Sequence, residues 1–282
     1  TIGPIIPPSI PMVIYALVSG TSVGALFLGG VVPGLLMAAV LMLTVQWIAV
    51  RRGLPREEPV PRGQRWAALR GGLLPLSLPV VLLGGLYSGA FTPTEAAVAA
   101  VAWALFLGFV WYRTLTVRML VKISMETIET TASVLFIVAA ASIFAWVLTT
   151  TQVTEAIAQW VLSITDDKWV FLILVNLFLL FVGCFMETIA AITILVPVLL
   201  PIAIKLGIDP VHFGLVMVLN LMIGLLTPPV GMVLFVLAKV SRLSVEETVR
   251  AVIPWMIPLL ATLAIITFFP GLVLWLPGLL YP

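Results

Sequence analysis

Apolar runs of about 20 residues, the length that a helix needs to cross a bilayer, alternate with short polar segments along the chain. Uninterrupted runs predict single spans at 22–50, 72–88, 93–112, 130–149 and 251–276, and a short surface helix at 153–164. Residues 169–206 and 211–240 are as apolar, but each contains residues that do not suit a continuous membrane helix. The pattern therefore predicts an all-α polytopic membrane protein that contains interrupted helices.

Composition supports a membrane protein over a soluble one. The 282 residues are 62% hydrophobic and 9% charged, whereas a soluble domain carries about 25% charged residues. The net charge of +2 gives no sign of nucleic-acid binding, because the basic residues lie between apolar segments. The chain opens at Thr1 inside a motif, so we expect it to be the C-terminal part of a longer, N-terminally incomplete protein.

Basic residues predict the orientation of the spans. Three segments, 51–70, 113–122 and 239–250, hold all but two of the fourteen Lys and Arg residues, so we expect them to be cytoplasmic. The stretch 169–206 must then begin and end on the outer side. This predicts a re-entrant hairpin, with its tip at the interruption GCFMETIAA of residues 183–191.

Two double prolines belong to a sequence motif that occurs twice in the chain. The motif Ile-Gly-x-x-x-Pro-Pro occurs at residues 2–8 and again at 223–229. At the same offset, Val31 and Pro33 of the first copy match Val252 and Pro254 of the second. Proline breaks helices. Because the helices that follow the two motifs run in opposite directions, we predict an inverted repeat with two discontinuous helices. A pair of packing kinks is the alternative.

Broken helices at the centre of a membrane suit a secondary transporter. A helix that begins at Pro8 or Pro229 would direct its free N–H groups at the membrane centre, where they favour an anion. The preceding ends, at Gly3 and Gly224, would offer carbonyl oxygens to a hard cation such as Na⁺, helped by the Thr227 hydroxyl.

Other classes fit less well. A membrane enzyme is disfavoured, since the sequence lacks paired intramembrane carboxylates, His-Glu-x-x-His, Gly-x-Ser-x-Gly and a Cys/His pair. An ion channel is disfavoured by the inverted broken helices and by the lack of a filter motif. We therefore expect no enzyme activity and no organic cofactor.

The chain resembles the large membrane subunit of TRAP (tripartite ATP-independent periplasmic, DctM-like) transporters. The resemblance is carried by the segments that begin IGPIIPPSIPMVIYALVSGTSVG, FTPTEAAVAA, GCFMETIAAITILVPVLLPIA and LGIDPVHFGLVMVLNLMIGLLTPPVG. It implies an elevator-type transporter in a bacterial or archaeal inner membrane that couples Na⁺ entry to uptake of a carboxylate. It also implies two partners: a periplasmic binding protein and a small four-helix membrane subunit. A stand-alone symporter of the same superfamily, without a binding protein, is the alternative.

The resemblance also implies a division of the chain and a set of site residues. The expected segments are a first-repeat broken helix with its following span (1–50), a cytoplasmic basic loop (51–70), scaffold or arm helices (71–165), the re-entrant hairpin (166–210), the second broken helix (211–240) and the last span (241–282). The implied cation ligands are Gly183, Glu187, Gly224, Thr227, Pro228 and Gly3. The implied substrate contacts are Pro8, Ser9, Pro229 and Thr188.

Four polar residues admit more than one role. Glu187 is either a helix cap or an ion-coupling group, because an ionisable residue at membrane depth is a functional candidate. Asn220 either joins the cation site or bonds a neighbouring helix. We expect Glu126 to be a cap, and His212 to be a surface or helix-start residue rather than a proton relay.

Overall fold

The computed structural model describes residues 3–53 and 61–280, and this part of the chain is helical without a β-strand. Twelve α-helices follow in order: α1 (Ile10–Ser19), α2 (Val23–Arg51), α3 (Arg62–Tyr87), α4 (Pro93–Phe106), α5 (Val117–Thr150), α6 (Val153–Ile164), α7 (Lys168–Phe185), α8 (Thr188–Lys205), α9 (Pro210–Gly224), α10 (Met232–Ser241), α11 (Val245–Phe268) and α12 (Gly271–Leu280). A π-helical segment, Leu107–Trp111, extends α4. Seven of the described helices are long and apolar enough to cross a membrane. The predicted all-α, multi-span architecture is confirmed at this level.

Helix α5 is longer than its apolar run suggested. It begins at Val117, not near residue 130, and it contains Glu126 in its third turn. The prediction that Glu126 caps a helix is wrong. Its carboxylate lies 3.8 Å from the Lys122 ammonium group, and both side chains are exposed. A pair at this i,i+4 spacing supports a continuous helix instead of starting one.

The final apolar run is two helices instead of one span over 251–276. Helix α11 ends at Phe268, and α12 begins at Gly271. Phe269 between them has φ −119° and ψ 74°. A residue that precedes proline is disfavoured in the helical conformation, so Pro270 accounts for the interruption.

The described chain divides into two compact units. The smaller, Trp47–Ser133, is built around the paired helices α3 and α4. Helix α4 begins with a capping box: the Thr92 hydroxyl accepts from the Glu95 N–H, and the Glu95 carboxylate accepts from the Thr92 N–H at 2.8 Å. The Trp103 indole N–H donates to Ser77 of α3 at 2.7 Å. Arg56, in the predicted basic loop, lies outside the described residues.

The larger unit, Thr1–Gln46 with Val134–Pro282, has α9 at its centre. Helices α1, α7, α8, α11 and α12 all pack against α9. Gly214 of α9 lies against the Tyr15 ring, and the Tyr15 hydroxyl donates to the Pro210 carbonyl at 2.7 Å. An apolar helix enclosed on all sides is the expected core element of a membrane domain.

His212 occupies the first turn of α9, as predicted, but it is not a surface residue. Only 3% of it is exposed, and its Nε2 lies 2.9 Å from the Ile266 carbonyl oxygen. That carbonyl belongs to the last turn of α11, where backbone acceptors lack intrahelical donors. His212 therefore links the start of α9 to the end of α11.

Helices α7 and α9 run in the same direction. Lys168 and Asp209, at their first turns, line one cavity of about 120 Å³, and their last turns meet at Gly183 and Gly224. Each helix covers about 22 Å between these points at 1.5 Å per residue. Helix α8 returns beside them, and its Lys205 pairs with Glu155 of α6 at 2.7 Å.

The orientation gives a labelling prediction. A cysteine that replaces Asp166 should react with an impermeant thiol reagent added outside intact spheroplasts, whereas one that replaces Arg118 should react only after the membrane is opened. The reason is the concentration of basic residues beside Arg118. Mass spectrometry of the two peptides measures both reactions, and external labelling at position 118 would reverse the assigned orientation.

Candidate functional site

The candidate site begins at a helical hairpin. Helix α7 ends at Phe185, Met186 is extended, and α8 begins at Thr188. The Glu187 carboxylate accepts from the N–H groups of Ile189 and Ala190 at 2.9 and 3.1 Å. It thereby satisfies two donors that have no partner within the helix. Glu187 is a helix cap in this structure, and an ion-coupling role for it stays a prediction.

The second component is the broken helix of the second motif. Helix α9 ends at Gly224, and α10 begins at Met232 after Gly231, whose φ is 51°. The helix therefore does not start at Pro229 as the sequence suggested. Pro229 disfavours the helical conformation at Pro228, and neither residue has an N–H, so non-helical backbone continues to Gly231.

Two glycines bring the hairpin and the broken helix into backbone contact. A Cβ placed on Gly224 would lie 2.6 Å from the Gly183 Cα, and one placed on Gly183 would lie 3.0 Å from the Gly224 Cα. Any side chain at either position would push α7 and α9 apart. The C-terminal ends of both helices, which carry partial negative charge, consequently lie side by side.

Hydrogen bonds hold the broken segment against the hairpin. The Gly231 N–H donates to the Cys184 carbonyl at 3.0 Å, and the Val233 N–H donates across the break to the Leu225 carbonyl at 3.2 Å. These bonds satisfy backbone groups that would otherwise be unpaired in a membrane. The first N–H groups of α10 are therefore partly occupied.

The oxygen atoms near the two helix ends differ in whether they already accept a hydrogen bond. The Thr227 hydroxyl donates to the Ile223 carbonyl at 2.9 Å, which leaves its lone pairs open. The Gly224 carbonyl accepts from the Thr227 N–H at 2.8 Å, so it is not the free carbonyl expected from the sequence. Within the described residues, the carbonyls of Gly183 and Met222 accept no hydrogen bond. Carbonyl and hydroxyl oxygens of this kind suit a hard cation.

The Thr188 hydroxyl, at the start of α8, points toward α9. It donates to the Met222 sulfur at 3.5 Å, and the residue is 2% exposed. A thioether is a weak acceptor. A stronger acceptor, such as a carboxylate oxygen, would therefore replace the Met222 sulfur as the partner of this hydroxyl.

The first motif forms a separate turn. Ser9 caps α1, since its oxygen accepts from the Met12 N–H at 3.4 Å while its hydroxyl donates to the Pro4 carbonyl. The preceding backbone packs on α2, where a Cβ on Gly30 would collide with the Ile5 carbonyl oxygen. Gly3, unlike its counterpart Gly224, has no atom within 4 Å of a built Cβ.

The two motifs are connected through packing rather than through polar contacts. Helix α1, which begins directly after Pro8 and Ser9, packs against α8 and α9. Across residues 3–53 and 61–280, no hydrogen bond joins Pro8 or Ser9 to Thr188, Thr227 or Pro229. The structure thus brings together Gly183, Thr188, Gly224 and Thr227, and it keeps Gly3, Pro8 and Ser9 in a separate turn.

A buried amide pair lies one to two turns from the glycine contact. The Asn220 Nδ2 group donates to the side-chain and main-chain oxygens of Asn176 at 2.6 and 3.0 Å. Asn176 donates in turn to the Thr267 hydroxyl at 3.0 Å. Of the two roles left open for Asn220, bonding to a neighbouring helix is the one that the structure displays. The sequence did not indicate Asn176 or Thr267 at all.

The energetic contribution of this amide network is small. Asn220 is fully buried, and its Oδ1 accepts no hydrogen bond from the described residues. A buried acceptor without a donor costs about 1–3 kcal/mol. Hydrogen bonds between membrane helices contribute about 0.6 kcal/mol each. The three interhelical bonds therefore do little more than offset the unpaired oxygen.

Comparison with known proteins identifies the family. The family model described as "Tripartite ATP-independent periplasmic transporter, DctM component" matches residues 1–272. The chain belongs to this family. It is 45% identical over 278 residues to the sialic acid TRAP transporter large permease protein SiaM of Vibrio cholerae, and 46% identical over 278 residues to the C4-dicarboxylate TRAP transporter large permease protein DctM of Pseudomonas aeruginosa. Each alignment covers 99% of this chain and 65% of the relative.

A third relative has a different substrate in its name. The 2,3-diketo-L-gulonate TRAP transporter large permease protein YiaN of Escherichia coli is 38% identical over 273 residues, which are 97% of this chain and 64% of the relative. The chain thus spans about 65% of the length of these relatives. The resemblance to TRAP large subunits is confirmed.

The glycine contact gives a prediction for this DctM-family chain. Gly224→Ala should lower stability by about 1–3 kcal/mol, because the new methyl group meets main-chain atoms that cannot move aside. Gly278→Ala is the control: this glycine lies inside α12, and a Cβ built on it meets no other part of the described chain within 4 Å. Thermal unfolding of the detergent-solubilised protein compares them. Equal unfolding temperatures for the two variants would show that the contact is not tight.

The capping role of Glu187 gives another prediction. Glu187→Gln should leave abundance and uptake close to wild type, since an amide oxygen still accepts from the Ile189 and Ala190 N–H groups, whereas Glu187→Ala should destabilise the hairpin by about 1 kcal/mol. Uptake at several Na⁺ concentrations separates the two roles of Glu187. Lost Na⁺ dependence in Glu187→Gln, with normal abundance, would assign it to ion coupling.

Proposed function

We propose that this chain forms the transport part of the membrane subunit of a Na⁺-coupled secondary transporter that imports an organic acid. Sialic acids, C4-dicarboxylates and related carboxylates are the substrate class, consistent with the names of its relatives. We place it in a bacterial or archaeal inner membrane.

The observation that carries the proposal is the backbone contact between Gly183 and Gly224. It sets the end of one hairpin helix beside the end of a broken helix, and both are C-terminal ends. Paired C-terminal ends have partial negative charge and carbonyl oxygens without donors, which is the chemistry that binds a cation in a membrane.

The residues present fit a Na⁺ ion. The Gly183 and Met222 carbonyls and the Thr227 hydroxyl would supply uncharged oxygen ligands, and no buried carboxylate is required. A bound cation would contact α7 and the end of α9 simultaneously. It would therefore stabilise the hairpin in its closed position against the break.

The substrate carboxylate has a separate group of candidate contacts. The Glu187 carboxylate already accepts from the Ile189 and Ala190 N–H groups at the start of α8, so the Thr188 hydroxyl is the donor that this helix start would offer to an anion. Ser9 and Pro8 precede α1, which packs on α8. We propose that the carboxylate binds between these two helix starts, near Pro229, and displaces the Met222 side chain from Thr188.

Cation and substrate are coupled through the hairpin in this scheme. A bound Na⁺ would hold α7 against α9, and that contact would position the Thr188 hydroxyl at the start of α8. Movement of the loaded hairpin and broken helices as one body across the membrane would then constitute an elevator mechanism. Inverted repeats around a central site are the usual basis of alternating access.

Two partners complete the proposal. A periplasmic binding protein would deliver the carboxylate, and a small four-helix membrane subunit would stabilise the complex. TRAP assemblies of this family motivate both. Uptake by vesicles that contain the membrane subunits without the binding protein distinguishes this arrangement from a stand-alone symporter, which would transport at full rate.

Thr227 provides the test of the cation site. Thr227→Val in the complete transporter removes one oxygen and keeps the shape, so the Na⁺ concentration for half-maximal uptake should rise about tenfold. The matched control is Thr262→Val. Thr262 also donates to its own i−4 carbonyl, at 2.8 Å, and lies in α11. Uptake against Na⁺ concentration measures both, and an unchanged Na⁺ requirement in Thr227→Val would remove Thr227 from the site.

A further inference from the structure

We infer that Asn176, Asn220 and Thr267 form a clamp that fixes the register of α7 against α9 and thereby positions the hairpin tip at the cation site. The inference rests on the proposed function for its effect on Na⁺. Its structural part, the fixed register, is independent of transport. The three residues are positioning residues and contact neither cation nor substrate in this scheme.

The clamp and the glycine contact lie on the same interface. Asn220 is one helical turn before Gly224, and Asn176 is two turns before Gly183, so in each helix the two residues share a face. The amide bonds cross from α9 to α7, and the next bond crosses from α7 to α11. Three helices are joined at one level of the unit.

The hydrogen bonds between Asn176 and Asn220 restrict movements of α7 against α9 that the glycine contact alone permits. Close packing of two glycines is not directional, so on its own it permits the helices to slide or rotate about that point. Hydrogen bonds weaken steeply when their angles change. The Asn220 amide donates to two oxygens of Asn176, at 2.6 and 3.0 Å, which leaves one favourable register of α7 on α9.

The bonds have a consistent direction along the network. Asn220 donates to Asn176, Asn176 donates to Thr267, and the Thr267 hydroxyl donates to the Leu263 carbonyl at 2.8 Å. Each donor therefore fixes the amide or hydroxyl orientation of the next. The Asn220 Oδ1 is left unpaired, so the arrangement favours a defined geometry over maximal stability.

Two threonines of α11 allow the effect of the clamp to be separated from the effect of losing a buried hydroxyl. Thr262 and Thr267 are both fully buried, and each hydroxyl donates to its own i−4 carbonyl at 2.8 Å. Only Thr267 also accepts from Asn176. Replacement by valine removes the same atom at both positions, but only Thr267→Val breaks the clamp.

The accessibility of the Cys184 thiol gives a measure of the hairpin position that does not depend on transport. It is the only cysteine in these 282 residues and is 4% exposed. Its thiol lies 3.1 Å from the Leu180 carbonyl and 3.6 Å from the Pro228 carbonyl of the break. Loosening of α7 from α9 should expose this thiol.

The experiment compares Thr267→Val, Asn220→Leu, Thr262→Val and Thr267→Ser in the complete transporter. The rate at which N-ethylmaleimide modifies Cys184 is followed by mass spectrometry of its peptide. We expect Thr267→Val to raise the rate about threefold, the factor for one interhelical hydrogen bond. Asn220→Leu removes two such bonds and the unpaired Asn220 Oδ1, but it leaves the Asn176 Oδ1 without its donor instead, so we expect a rise of about tenfold, the factor for two bonds. Thr262→Val and Thr267→Ser should match wild type.

Uptake against Na⁺ concentration is measured on the same variants. We expect the half-maximal Na⁺ concentration to rise in Thr267→Val and Asn220→Leu while the maximal rate stays close to wild type. Unchanged Cys184 modification in Asn220→Leu, or an equal rise in Thr262→Val, would overturn the clamp. An unchanged Na⁺ requirement despite faster modification would overturn its positioning role. If wild-type uptake needs no Na⁺, faster modification still supports the clamp, and the proposed Na⁺ coupling fails by itself.

Discussion

The missing side chains of Gly183 and Gly224 are the constraint on which the site depends. Because a Cβ on Gly224 would lie 2.6 Å from the opposing Cα, only glycine allows the hairpin helix and the broken helix to meet backbone to backbone. The contact sets the level at which both helices end. The Gly183 and Met222 carbonyls and the Thr227 hydroxyl belong to the two helix ends that this contact joins and to the segment that follows them.

The polar groups of an interrupted backbone need hydrogen-bond partners in a membrane. Here the hairpin supplies one such partner. The Cys184 carbonyl accepts from Gly231, and the two sides of the break bond each other through Val233 and Leu225. Among the described residues, the Gly183 and Met222 carbonyls accept no hydrogen bond. Several polar groups of the break are thus satisfied within the protein, and these two carbonyls are left for the cation that we propose.

Much of this arrangement could be predicted from the sequence, and the omissions have physical causes. Apolar run length located most of the helices, and the residues around Glu187 and Pro228 located the two interruptions. Start positions were less accurate: α10 begins at Met232 because a double proline extends non-helical backbone beyond itself. Burial of His212 and the link between Asn176 and Asn220 depend on which helices become neighbours. Apolar periodicity has no information on this point when a helix is buried on all sides.

The non-helical break between α9 and α10 can be tested directly by asking whether uptake requires it. Alanine at Pro229 supplies an N–H four residues after Leu225, where it would compete with Val233 for the Leu225 carbonyl and favour a continuous helix. Pro258 lies inside α11, away from the break, and Pro258→Ala is the control. The measurement is Na⁺-driven uptake divided by the amount of transporter in the membrane. We expect Pro229→Ala to insert normally but to lose most of its uptake, while Pro258→Ala keeps it. Normal uptake by Pro229→Ala at normal abundance would show that transport does not require the break.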